Sequence, residues 1–118
     1  MTTQEVADRL SQLFKENKWN EAQDELFAEN AVSIEPAHSQ GLQTAEGLAA
    51  IKQKGAMFSS MIEEMHGGYV TDLVVAGNLI SCGMGMDVTM KGAPRMKMDE
   101  ICIYEVRDGK IVKEQFIY

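Results

Sequence analysis

The sequence of 118 residues predicts one α+β domain, a curved antiparallel sheet packed on three N-terminal helices. Two observations carry this. In the first half, apolar residues recur at helical spacing; in the second, they alternate at strand spacing. Helices followed by strands imply helices covering one face of a curved sheet.

The first helix is read from Val6, Leu10, Leu13 and Phe14, with Asp8, Arg9, Gln12 and Lys15 between them. Asn17 and Lys18 break it. Asn20 is expected to cap a second helix, with Gln23 as its capping-box partner and Ala22, Leu26 and Phe27 on the apolar side. Glu29 and Asn30 end it, and residues 31–34 form a short strand stopped by Glu35-Pro36. Residues 37–43 read as a loop containing Gly41. Thr44 is expected to cap a third helix running to about Glu64, with the stripe Leu48, Ile51, Gly55, Phe58, Ile62. Gly55 costs that helix about 1 kcal/mol against alanine and is read as permitting close helix–sheet approach.

Four strands follow. The first spans residues 65–75, with a bulge or bend at Gly67-Gly68, and a turn at Ala76-Gly77-Asn78 closes it. The next two, residues 78–90 and 96–106, are joined by Lys91-Gly-Ala-Pro-Arg95. Asp108-Gly109 is a hairpin signal before the last strand, residues 110–118. Residues 80, 82, 84, 86, 88 and 90 are all apolar, and so are Met96, Met98, Cys102, Tyr104 and Val106. Glu100 shares the parity of the second set, which puts a carboxylate on a methionine-rich inner face. Two readings fit it: a proton-transfer group with a raised pKa, or a salt-bridged glutamate at the mouth of the sheet. On the opposite parity, Ser81, Gly83, Gly85 and Asp87 make a small, flat outer face suited to dimerisation. The last strand is mixed on both faces, so parity does not assign its inner side.

Composition removes other classes. The net charge is −7 and no Lys/Arg cluster exists, which excludes non-specific nucleic-acid binding. No apolar run is long enough to span a membrane. The N-terminus lacks the basic and apolar regions of a signal peptide, so a reduced, cytoplasmic setting is expected. A hairpin centred on Gly92 pairs Cys82 with Cys102, two small core thiols in one reading and a disulfide or metal pair in the other. No zinc-ligand spacing, phosphate loop or dinucleotide motif occurs, so neither metal nor cofactor is expected. Nine methionines, among them Met84, Met86 and Met98, give either a deformable pocket for an apolar ligand or a plain core. Trp19, Phe58, Phe116 and Tyr118 are candidates to close the same cavity. His38 lies on the loop after Glu35-Pro36, either as a proton carrier or as an exposed histidine.

Three local patterns carry a resemblance. They are the run from Leu26 to Pro36, the segment Gly47-Leu-Ala-Ala-Ile51, and Tyr104 to Val112 followed by Glu114 to Tyr118. In this order the chain resembles SnoaL-like members of the nuclear transport factor 2-like superfamily, which includes ketosteroid isomerase. The resemblance implies a cone-shaped fold enclosing a pocket and a homodimer through the outer sheet face. It places Glu35 where the isomerase has its general base. It places the isomerase's neutral acid near Glu100 or Ile101, and parity selects Glu100. The isomerase's tyrosine on the first helix has no counterpart in residues 10–14, which argues against steroid isomerisation. Two functions remain. One is cofactor-free proton transfer on a small apolar molecule, of isomerase, cyclase or dehydratase type. The other is a non-catalytic ligand-binding or dimerisation domain.

Overall fold

The computed structural model describes residues 1–39 and 41–118; Gln40, within the expected loop, lies outside them. Among the described residues, three helices, α1 (Thr3–Lys15), α2 (Trp19–Leu26) and α3 (Leu48–Met61), accompany seven strands. The strands are β1 (Phe27–Ile34), β2 (Ala45–Glu46), β3 (Ile62–Val70), β4 (Val74–Ala76), β5 (Leu79–Met90), β6 (Arg95–Arg107) and β7 (Lys110–Ile117). They form one curved, unclosed sheet in the order β2-β1-β7-β6-β5-β3, with β4 also on β5. Every pairing is antiparallel except that of β1 with β7, which is parallel.

The N-terminus of α1 is fixed by a capping box, in which Thr2 Oγ1 accepts from the Glu5 amide and Glu5 accepts from the Thr2 amide. Its inner face contributes Val6, Leu10 and Leu13, which pack with Leu26, Ile51, Ile80, Cys102, Tyr104 and Ile111. These apolar side chains, removed from water, supply the driving force that seats the helices on the sheet.

Several boundaries differ from the sequence reading. Helix α2 starts at Trp19 after Lys18, with no side-chain cap, so Asn20 lies inside it. The cause is Asn17, whose φ of 57° turns the chain while the Lys18 amide bonds back to the Leu13 carbonyl. The same helix ends at Leu26, because Phe27 already pairs with Ile111 of β7. Helix α3 starts after Gly47, which stands at φ 90° where side chains are disfavoured. Thr44 does not cap it; its hydroxyl accepts from the Glu35 amide instead. Gly55 permits no close helix–sheet approach, since a Cβ there would meet nothing within 4 Å.

The register of β5 with β6 is the expected one: Cys82 lies opposite Cys102 and Met84 opposite Glu100. Both thiols are free and buried. Register shifts shape the sheet. In β3 the pairing shifts between Met65 and Gly67, next to the expected bend. In β7, Val106 pairs with Ile111 and Glu105 with Lys113, leaving Val112 as an extra residue. That bulge reverses the parity of β7, so Ile111 and Glu114 are both buried.

The expected flat outer face is partly roofed. The Tyr69 ring lies over Gly85, held by a 2.7 Å bond to Asp99, and Thr71 lies against Gly83. Close approach also constrains Gly68, where a Cβ would sit 2.9 Å from the Gly85 carbonyl oxygen, an immobile backbone atom. Substituting Gly68→Ala is expected to destabilise the protein by about 1–3 kcal/mol, through displaced strands. Gly67→Ala, whose Cβ meets nothing within 4 Å, is expected to stay within about 0.5 kcal/mol of the parent. Urea midpoints of the two variants measure the difference.

Candidate functional site

Strand β1 presents Ser33 and Glu35 on one parity, and both are buried, before Pro36 ends the pairing. Helix α3 places Lys54 one turn beyond the buried Ile51. Strand β7, its parity set by the Val112 bulge, presents Glu114, Phe116 and Tyr118 on one face. Strands β5 and β6 add Met86, Met98 and Glu100. These groups converge on a cavity of about 180 Å³. It opens into a wider cleft of about 1360 Å³, and Phe58, Met86, Met98, Glu100, Glu114 and Phe116 line both. A molecule of ordinary ligand size fits only by extending from the cavity into the cleft.

A continuous polar network lies at the cavity floor. Lys54 Nζ donates to Ser33 Oγ at 2.6 Å and to Glu35 Oε2 at 2.8 Å. Ser33 Oγ donates to Glu114 Oε1 at 2.7 Å. On the other side, the Tyr118 hydroxyl donates to Glu35 Oε1 at 2.8 Å and lies 3.1 Å from Ser39 Oγ. The Lys54–Glu35 pair is desolvated, with side chains 10% and 3% exposed. Lys54 also stands 5.5 Å from the Phe116 ring centroid.

One ammonium thus faces three carboxyl groups, and two of them are shifted. Burial pushes Glu114 up to about 7, against the Ser33 hydrogen bond and the Lys54 charge, which both favour its anion. Glu100 is also raised, first by burial and further by the charge on Glu35, while the Cys102 thiol and Lys54 oppose the shift. The Tyr118 hydroxyl is raised, chiefly by burial.

The structure brings Glu35, Glu100, Phe58, Met86, Met98, Phe116 and Tyr118 to the inner cavity. Trp19 and Met84 line only the outer cleft, and Trp19 stacks on Phe14 with ring centroids 4.5 Å apart. His38 lines neither; it is exposed, and its ring stands edge-on to Tyr118 at 5.8 Å. Among the described residues no cluster of His, Cys, Asp or Glu is arranged to hold a metal ion. No helix among them is long and apolar enough to cross a membrane.

The SnoaL-like domain family model matches residues 1–118. The chain belongs to this family. A Mesorhizobium loti protein, provisionally described as a SnoaL-like polyketide cyclase with carbohydrate phosphatase as a bracketed designation, is 31% identical. The match covers 100% of each chain with a TM-score of 0.92. TerC, co-crystallised with polyporic acid, is 18% identical, with 98% of this chain and 90% of that one covered and a TM-score of 0.74. A Catenulispora acidiphila protein of ketosteroid isomerase-like fold, in complex with trimethylamine, is 24% identical; 84% of this chain and 73% of that one are covered, with a TM-score of 0.69. These last two show the fold. No functionally curated protein matches the sequence.

Sequence reasoning missed three members of this SnoaL-like site: Ser33, Lys54 and Glu114. Lys54 left a signal. With Ile51, Gly55 and Phe58 it makes the spacing 51, 54, 55, 58, so a charge sits inside an apolar helical stripe. Glu114 left none, because its inward direction depends on the Val112 bulge.

Glu114 makes stability depend on pH. Its folded pKa of about 7 exceeds the ordinary 4.5, so the folded state holds a proton that the unfolded state has released. Its contribution is fully present below 4.5 and is lost as pH rises through about 7. Glu114→Gln is expected to flatten the stability profile across that window and to gain up to about 3 kcal/mol above it. Denaturant titrations at a series of pH values measure both effects.

Proposed function

We propose that the chain catalyses cofactor-free proton transfer on a small, largely apolar carbonyl compound. One observation carries this: Glu35 and Glu100 line a single cavity whose walls are Phe58, Met86, Met98 and Phe116. Glu35 acts as the base, because hydrogen bonds from Lys54 and Tyr118 fix the orientation of its carboxylate at the cavity. Glu100, whose pKa is raised by burial, keeps its proton to higher pH and serves as the acid on the opposite wall. The similarity to a protein provisionally described as a polyketide cyclase supports the class, since ring closure of a polyketide begins with removal of a proton beside a carbonyl.

A second reading, a ligand-binding domain without catalysis, is favoured by one feature. Glu35 already accepts a hydrogen bond on each carboxylate oxygen, so a substrate must share or displace one of these contacts to reach it. The test is proton NMR in deuterated water with a panel of uncharged cyclic ketones and β-diketones. Accelerated loss of the α-proton signals is expected, and Glu35→Gln is expected to slow it by about 10²–10⁴-fold. Ketones that bind without any accelerated exchange would establish the second reading.

We further infer a homodimer through the outer sheet face. Ile101 and Ile117 are register partners, each 49% exposed. Paired isoleucines on an open sheet face are the kind of apolar surface that a second copy covers. Ile101→Lys is expected to shift the protein from dimer to monomer in sedimentation velocity.

A further inference from the structure

We infer that Lys54 is a catalytic electrophile, and that the ligand class is a neutral ketone whose oxygen is held by its ammonium while Glu35 removes the neighbouring α-proton. This deepens the proton-transfer reading and rests on it. An ammonium has three hydrogens to donate. Two are committed, to Ser33 Oγ and Glu35 Oε2. Among the described residues the third has no acceptor, although the side chain is only 10% exposed and lines the cavity. A largely buried ammonium with one hydrogen left for a guest is the strongest ligand-directed feature among the described residues.

The geometry selects the chemistry. Nζ lies 2.8 Å from the Glu35 oxygen. That separation is close to the one between a carbonyl oxygen and a hydrogen on the adjacent carbon. A ketone can therefore accept from Lys54 and offer its α-hydrogen to Glu35 at once. In the forward step the Glu35 carboxylate takes the proton, and the C–H electron pair forms the new carbon–carbon double bond. The carbonyl π pair moves onto oxygen, and the resulting enolate oxygen is held by the third Lys54 hydrogen. Return of a proton to carbon restores the carboxylate, with no other reactant consumed. A ligand carboxylate is disfavoured, because three carboxyl groups already share the cavity with one ammonium.

The test uses 4-nitrophenol as an enolate mimic, since its neutral and ionised forms absorb at different wavelengths. Below pH 7 the parent protein is expected to bind it as the phenolate. Binding should weaken as pH rises through about 7, where Glu114 ionises. Glu35→Gln, which keeps Lys54 and removes a neighbouring negative charge, is expected to tighten phenolate binding. Adding Lys54→Met to that variant is expected to weaken it at least about tenfold. The double variant removes both partners of the buried pair, so it avoids stranding one charge; its thermal melt confirms that it is folded. Phenolate held as tightly without Lys54, or bound by the parent only as the neutral phenol, would overturn the inference. Phenolate binding needs no proton abstraction, so a parent that binds phenolate through Lys54 yet exchanges no ketone proton disproves catalysis and leaves the oxygen-binding role standing.

Discussion

One buried ammonium facing three carboxyl groups is the constraint on which the site depends. Among the described residues Lys54 is the only cation lining the cavity, and it is committed to Glu35 at 2.8 Å. Burying an ion is costly unless a partner compensates it. Glu35 has that partner; Glu114 reaches it only through the Ser33 hydroxyl. Glu100 is served by the Cys102 thiol, 3.7 Å away, a weak donor. Both weakly served groups are shifted toward the protonated form. Chemically distinct carboxyls thus arise from identical side chains.

The cavity also has a direction. Charge lies at its floor, where β1, α3 and β7 meet, and the apolar walls open toward the cleft beside Trp19, Tyr69 and Met84. A ligand with one polar end and an apolar body has a single favourable orientation in such a space. Methionine walls suit it, because an unbranched thioether repacks around different shapes at low cost.

The fold was largely legible because its two periodicities are clean. Alternation along residues 80–90 and 96–106 placed Glu100 inside and paired Cys82 with Cys102, as the register shows. Helix ends were less legible, because tertiary pairing overrides local capping signals. Phe27 is claimed by β7 rather than by the helix before it, and Thr44 serves the Glu35 backbone. The site was half legible. Parity found one acid, and resemblance found Glu35. Glu114 was hidden, since one extra residue at Val112 exchanges the two faces of β7. Such a bulge has no compositional mark in this strand. Lys54 is visible as a charge within an apolar stripe, but lysine on a helix usually reaches water, so the stripe alone does not mark it as buried.

Gly55 has a consequence for how this site changes over time. It lines the cavity from α3, and a side chain there would enter open space rather than touch protein. The position is adjacent to Lys54 but takes no part in the hydrogen-bond network. Under the proposed function, a larger side chain here changes the open space beside the acid–base groups while leaving those groups where they are. A lineage can therefore drift between larger and smaller guests by one-codon steps, with alanine or valine at this helix position. Under the proposed function, reactivity and size selection are uncoupled, as expected where sites are grafted onto a shared scaffold.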